Sequence, residues 1–207
     1  MNMTDKNVIE IKGILHFDST SVEYSFIQTQ NDVATIVATG GANNGYLNGP
    51  DNIYHNLETI LPKMHMSFLR INVTNNYENG ANQVYQAINH FLISKNYKKP
   101  LIMMGWSMGG SSVINATNLL QKQIQVDEII VFGCQPTNID IIRNITSPIN
   151  FVHGTQDQIF HFNKSLTMYD INSNRNKIFL LETDHFMNNK KLEIINIIKK
   201  IIIKYLD

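Results

Sequence analysis

Residues Leu101 to Ser112 read LIMMGWSMGGSS, an apolar run that stops at Gly105-Trp106-Ser107-Met108-Gly109 and continues into a stretch able to form a helix. The spacing G-x-S-x-G predicts a strand that turns into a helix within a few residues, holding Ser107 on a strained corner with its hydroxyl exposed. Glycine two places to either side keeps a Cβ out of the corner where the two backbones approach. Taken alone, the pattern also fits a serine that merely caps a helix. The segments around it must therefore decide.

Working outward, apolar runs alternate with helix-compatible stretches. Val8 to Leu15 and Ser21 to Gln28 are β-rich runs separated by His16 to Thr20, and they read as a hairpin at a sheet edge. Ala34 to Thr39 is a short buried strand followed by Gly40-Gly41-Ala42, with a helix expected over Asn52 to Met64. Ser67 to Val73 is the next strand, and Ala81 to Lys95 places Val84, Ala87, Ile88, Phe91 and Leu92 on one helical face. Pro100 opens the strand that feeds Ser107, and the helix after it runs to about Gln121. Strands at Glu128 to Phe132, Ile149 to Val152 and Lys177 to Leu181 precede a terminal amphipathic helix. This order predicts a mostly parallel sheet with helices on both faces, in one domain spanning residues 1–207. Only a loop and one short helix fit between Phe132 and Ile149, so no cap domain is expected. The site should be open and shallow, built from loops at the C-terminal edge of the sheet.

Composition narrows the function classes. The chain has 207 residues, 43% hydrophobic, 16% charged, with a formal net charge of zero. No basic block is interleaved with aromatics, which argues against a nucleic-acid partner. The single Cys134 excludes an intrachain disulfide framework and fits a reducing compartment, so a cytoplasmic location is expected. Asp5 and Glu10 interrupt what would have to be the core of an export signal. Lys199, Lys200 and Lys204 interrupt the most apolar segment, Leu192 to Leu206, so no transmembrane segment is expected. That segment is expected to cover the sheet, with attachment to a membrane surface as the competing reading.

The partners of Ser107 are sought after later strands. In Phe151 to Phe160 (FVHGTQDQIF) a buried strand is followed by a glycine turn and then Asp157, placed to orient an imidazole and stabilise its cation. In Leu180 to Phe186 (LLETDHF) the loop after the last strand supplies His185, the candidate general base. His153 is expected to hydrogen-bond loop backbone, His161 lies on the wrong element, and Asp184 adjoins His185 but should point away from it. Cys134 reads as a small buried thiol and not as a rival nucleophile. Oxyanion donors are expected from the backbone N–H groups of Met108 and Gly41, with Ala42 next. The glycines at 40 and 41 lack the G-x-G-x-x-G spacing of a dinucleotide site. Ala42, Tyr46 and Trp106 are candidates to line the substrate. No metal or organic cofactor is expected, and oligomeric state is not legible.

With elbow, acid and histidine in order, the chain resembles the α/β-hydrolase superfamily from the N-terminal hairpin to the final helix. Within it the chain is similar to small cap-less esterases of the acyl-protein-thioesterase and dienelactone-hydrolase-like types. The resemblance implies a core of eight strands, the second antiparallel. It also implies two-step acyl transfer from a small-molecule ester or thioester through a Ser107-His185-Asp157 triad. Two positions depart from the pattern: Ser107 stands where the dienelactone-hydrolase-like group carries a cysteine, and Thr39-Gly40 replaces the usual His-Gly pair of the oxyanion loop. Two alternatives remain open at this stage. One is a binding or scaffold protein on the same fold, and the other a hydrolase of amide or peptide bonds.

Overall fold

Runs that are apolar on both faces become the central strands. In the computed structural model, which describes residues 8–17, 20–42, 48–73, 77–93 and 99–206, eight strands form one sheet in the order β1-β2-β4-β3-β5-β6-β7-β8. They are β1 (Val8–Phe17), β2 (Thr20–Thr29), β3 (Ala34–Thr39), β4 (Met66–Ile71), β5 (Leu101–Trp106), β6 (Glu128–Phe132), β7 (Ile149–Gly154) and β8 (Lys177–Leu181). Strand β2 pairs antiparallel with β1 and with β4, and every other neighbouring pair is parallel. Every residue of β3 to β7 is buried, as a sheet covered on both faces requires.

Alternate side chains feed two separate cores. Val37, Met103 and Val131 join Val84 and Ala87 of α2 (Tyr77–Ile88), Val113 of α3 (Met108–Leu120), Ile142 of α4 (Ile139–Asn144) and Met168 of α5 (Asn163–Asp170). On the other face Ile36, Met104 and Ile130 meet Ile53 and Leu57 of α1 (Ile53–Ile60) and the isoleucines of α6 (Lys191–Ile202). The terminal helix therefore covers the sheet: Ile194, Ile195, Ile198, Ile201 and Ile202 are buried while Lys199 and Lys200 face outward. Beyond it, the buried Glu128 carboxylate accepts from Lys204 Nζ at 2.5 Å and from the Tyr205 hydroxyl at 2.9 Å. No helix among the described residues is long and apolar enough to cross a membrane.

Residues 133–148 carry only α4, and among the described residues no cap stands over the C-terminal edge of the sheet. Several expectations need correction in detail. The hairpin strands run on to Phe17 and start again at Thr20, because cross-strand pairing continues through that register; their connection lies outside the described residues. The helix expected over Asn52 to Met64 is broken. Asn52 adopts a left-handed conformation (φ 56°) before α1, and Pro62, which has no N–H to donate, ends the regular helix and opens a 3-10 turn. The next helix starts earlier than expected, at Tyr77, and passes into a π-turn at Asn89–Ile93. Helix α5 was not anticipated, since its polar sequence buries only Ser165 and Met168.

Candidate active site

The elbow is shaped by backbone contacts that leave no room for side chains. A Cβ on Gly105 would lie 2.3 Å from the Gly109 carbonyl oxygen, and one on Gly109 would lie 2.3 Å from that of Gly40. Only glycine lets β5, the start of α3 and the loop after β3 pack this closely. Ser107 sits between them with φ 56° and ψ −122°, a conformation that L-residues rarely adopt. It is held there because its N–H donates to the Phe132 carbonyl at 2.9 Å and its own carbonyl accepts from Gln135 N–H at 3.1 Å. The strain raises the hydroxyl above the sheet edge at the N-terminus of α3, where the helix dipole favours negative charge.

His185 and Asp157 arrive on loops after β8 and β7. His185 Nε2 lies 3.0 Å from Ser107 Oγ, and His185 Nδ1 lies 2.7 Å from Asp157 Oδ2. With Asp157 ionised, Nδ1 carries the ring hydrogen and Nε2 is free to accept from the serine. The other carboxylate oxygen accepts from the backbone N–H groups of Ile159 and Phe160, both at 2.8 Å. Burial pushes the Asp157 carboxyl up, but the His185 ring and the Phe160 and Ile159 N–H groups outweigh it and hold the group below the ordinary carboxylate value.

The competing groups are engaged elsewhere. Asp184 bonds Asn188 through its backbone N–H at 3.3 Å and its side-chain amide at 2.8 Å. His161 is exposed and stacks on Phe162. Cys134 is fully buried, and its thiol is pushed up to about 12 by that burial, against the opposing hydrogen bond of Ser111. A thiol in that state is no nucleophile. His153 bonds the Phe160 carbonyl, the loop-backbone contact expected of it, and also touches Asp157.

Of the remaining candidates, Gly41 passes so near the serine that a Cβ on it would lie 3.1 Å from Ser107 Cβ and 3.6 Å from Oγ. Gly41, Ala42, Trp106 and Met108 line a cavity of about 500 Å³ over Ser107 and His185. Tyr46 lies outside the described residues. The cavity has further walls that sequence reasoning did not name: Gln135, Ile159, Phe160 and Phe186. Ile159 and Phe186 stand 55% and 49% exposed at its mouth. Their one sequence signal was adjacency, since Ile159 and Phe160 follow Asp157 in its loop and Phe186 follows His185. Trp106 also clamps the histidine, its indole N–H donating to the His185 carbonyl at 3.2 Å. Among the described residues no group of three or more His, Cys, Asp or Glu could hold a metal ion.

A parallel sheet with one antiparallel strand near its edge, an elbow after β5 and no cap define a member of the α/β-hydrolase superfamily. The dienelactone hydrolase family matches residues 12–191, and the chain belongs to that family. No curated protein sequence is significantly similar to it. Among solved structures it is similar to Est1E from Butyrivibrio proteoclasticus, at 11% identity and a TM-score of 0.80, covering 94% of this chain and 98% of that one. A cold-adapted esterase from an Arctic intertidal metagenomic library is 11% identical with a TM-score of 0.78, covering 100% and 99%. XC6422 from Xanthomonas campestris, described as an α/β serine hydrolase without a lid, is 11% identical with a TM-score of 0.73, covering 95% and 94%.

Proposed function

We propose that the protein is a serine esterase or thioesterase acting through Ser107, His185 and Asp157. The observation that carries this reading is the unbroken relay from Ser107 Oγ through both nitrogens of His185 to Asp157, at 3.0 and 2.7 Å. Neutral His185 takes the hydroxyl proton as Ser107 Oγ attacks the acyl carbonyl carbon, and the imidazolium formed is stabilised by ionised Asp157. The carbonyl oxygen gains the negative charge between the N–H groups of Met108 and Gly41, at the positive end of α3. His185 then gives its proton to the departing alcohol or thiol, leaving an acyl group on Ser107. In the second half a water loses a proton to His185, attacks the acyl carbon and releases the acid as the proton returns to Ser107. The balance closes with the chain and one water.

The substrate reading follows from the walls. Trp106, Phe160, Phe186 and Ile159 offer apolar surface beside the serine, and Gln135 is the neutral polar group among them. We therefore assign a small carboxylic ester or thioester with an apolar acyl group. We also place the protein in the cytoplasm, supported by the lone buried Cys134. A panel of p-nitrophenyl esters and acyl thioesters of rising chain length, run beside Ser107→Ala and a fluorophosphonate probe, tests the assignment. Hydrolysis and labelling are both expected to vanish in the variant. Unlabelled wild-type protein, or a variant as active as wild type, would defeat it.

A further inference from the structure

His153 takes no step in the relay above, yet it is wholly buried and lies against the acid. Its Nε2 is 3.0 Å from Asp157 Oδ2, the oxygen that His185 Nδ1 reaches at 2.7 Å. The same Nε2 is 2.7 Å from the Phe160 carbonyl oxygen, and Nδ1 is 2.7 Å from Ser165 Oγ. Both partners of Nε2 are acceptors, so Nε2 carries the hydrogen; Nδ1 then accepts from the Ser165 hydroxyl and the ring is neutral. Burial draws its pKa below the ordinary histidine value, against the Phe160 carbonyl and the Asp157 carboxylate, which favour the charged form.

Two histidines from different elements therefore converge on one carboxylate oxygen. Resting on the serine-hydrolase reading, we propose that His153 is a positioning residue for Asp157. Its N–H shares the charge on Oδ2 with His185 and fixes the rotation of the carboxylate. It also clasps Phe160, whose N–H donates to Asp157 Oδ1 and whose ring lies 5.6 Å from the His185 imidazole. The other ionisable groups nearby face elsewhere. Asp184 is turned to Asn188, Cys134 donates to the Gln135 carbonyl, His161 stacks on Phe162, and Lys164 and Glu182 are exposed.

The test is the pH dependence of kcat and kcat/KM in three variants. His153→Phe keeps an aromatic ring and deletes the donor. It is expected to lower plateau kcat about tenfold, with KM held within about twofold. It should also move the acid limb of kcat/KM to higher pH, because Oδ2 then gives its whole charge to the His185 imidazolium. His153→Gln, whose amide N–H can reach the same oxygen, should recover most of the rate. Ser165→Ala deletes only the hydroxyl that anchors Nδ1 and holds the ring in place, so it should move both quantities the same way by less. It stands in if the phenylalanine variant does not fold.

A phenylalanine variant with plateau kcat within about twofold of wild type and an unmoved acid limb would overturn the proposal. So would a glutamine variant no more active than the phenylalanine one, or, where Ser165→Ala stands in, an unchanged profile. Absence of Ser107-dependent hydrolysis in the wild-type protein would instead defeat the serine-hydrolase reading on which the proposal rests.

Discussion

Trp106 and His185 are joined twice. The indole N–H donates to the His185 carbonyl at 3.2 Å, and the two rings lie 5.8 Å apart at an interplanar angle of 35°. The residue before Ser107 thus holds the backbone of His185, and its ring also lines the cavity. Trp106→Phe keeps most of the apolar surface and removes the donor. Urea unfolding should show a loss of about 1 kcal/mol, the usual size for one buried hydrogen bond. A severalfold fall in kcat should accompany it; unchanged kcat and stability would mean that the clamp contributes nothing.

Gly133 marks a second close approach. With φ 46°, it faces Asp157 and His185 so closely that a Cβ would lie 3.2 Å from His185 Nδ1 and 3.4 Å from Asp157 Oδ2. Gly133→Ala adds left-handed backbone strain of about 1–2 kcal/mol and crowds the hydrogen bond between them. Steady-state kinetics should show kcat falling more than KM rises. A rise in KM with kcat unchanged would instead place the damage in substrate binding.

The acid can be assigned by two matched substitutions. Asp157→Asn cannot orient the imidazole in the required tautomer and should cost about 10⁴ in kcat. Asp184→Asn should leave kcat near that of wild type, because the Asp184 carboxylate is occupied by Asn188. The reverse ranking would move the role to Asp184.

Stability should fall on the acid side in two stages. His153 is held neutral with a depressed pKa, so the unfolded chain binds a proton there below about pH 6.5 that the folded protein does not yet take up. Its contribution is complete above that pH and is lost as pH falls toward the folded value, with a slope of at most about 1.4 kcal/mol per pH unit. Asp157, also depressed, adds its loss only below about pH 4, the ordinary range for an unfolded aspartate. Urea midpoints between pH 7.5 and 5 should decline in wild type and decline less in His153→Phe. Parallel curves would remove His153 from the first stage.

What could be read in the sequence was what local constraints write into it. The elbow motif encodes both the backbone strain at Ser107 and the glycines that permit it. The central strands read as apolar runs because both of their faces are covered. Asp157 and His185 were found from their places after β7 and β8, since each loop there must open onto the same sheet edge. The rest depends on tertiary packing. Gly133 looks like any turn glycine until the His185–Asp157 pair is set against it. His153 shares a carboxylate oxygen only because α5 supplies Ser165 and the Asp157 loop folds Phe160 back over it. Helix α5 escaped notice because NKSLTMYD lacks an apolar stripe, and α1 was overextended because Leu57, Ile60, Leu61 and Met64 keep helical spacing across Pro62, where the regular helix ends.

The most direct test of the central claim is to trap the acyl group. Wild-type protein mixed with a p-nitrophenyl ester and quenched in acid within the burst phase should yield a Ser107 peptide heavier by one acyl group, absent from Ser107→Ala. An acyl group found on Cys134 or on another residue, or turnover that survives in Ser107→Ala, would contradict the account.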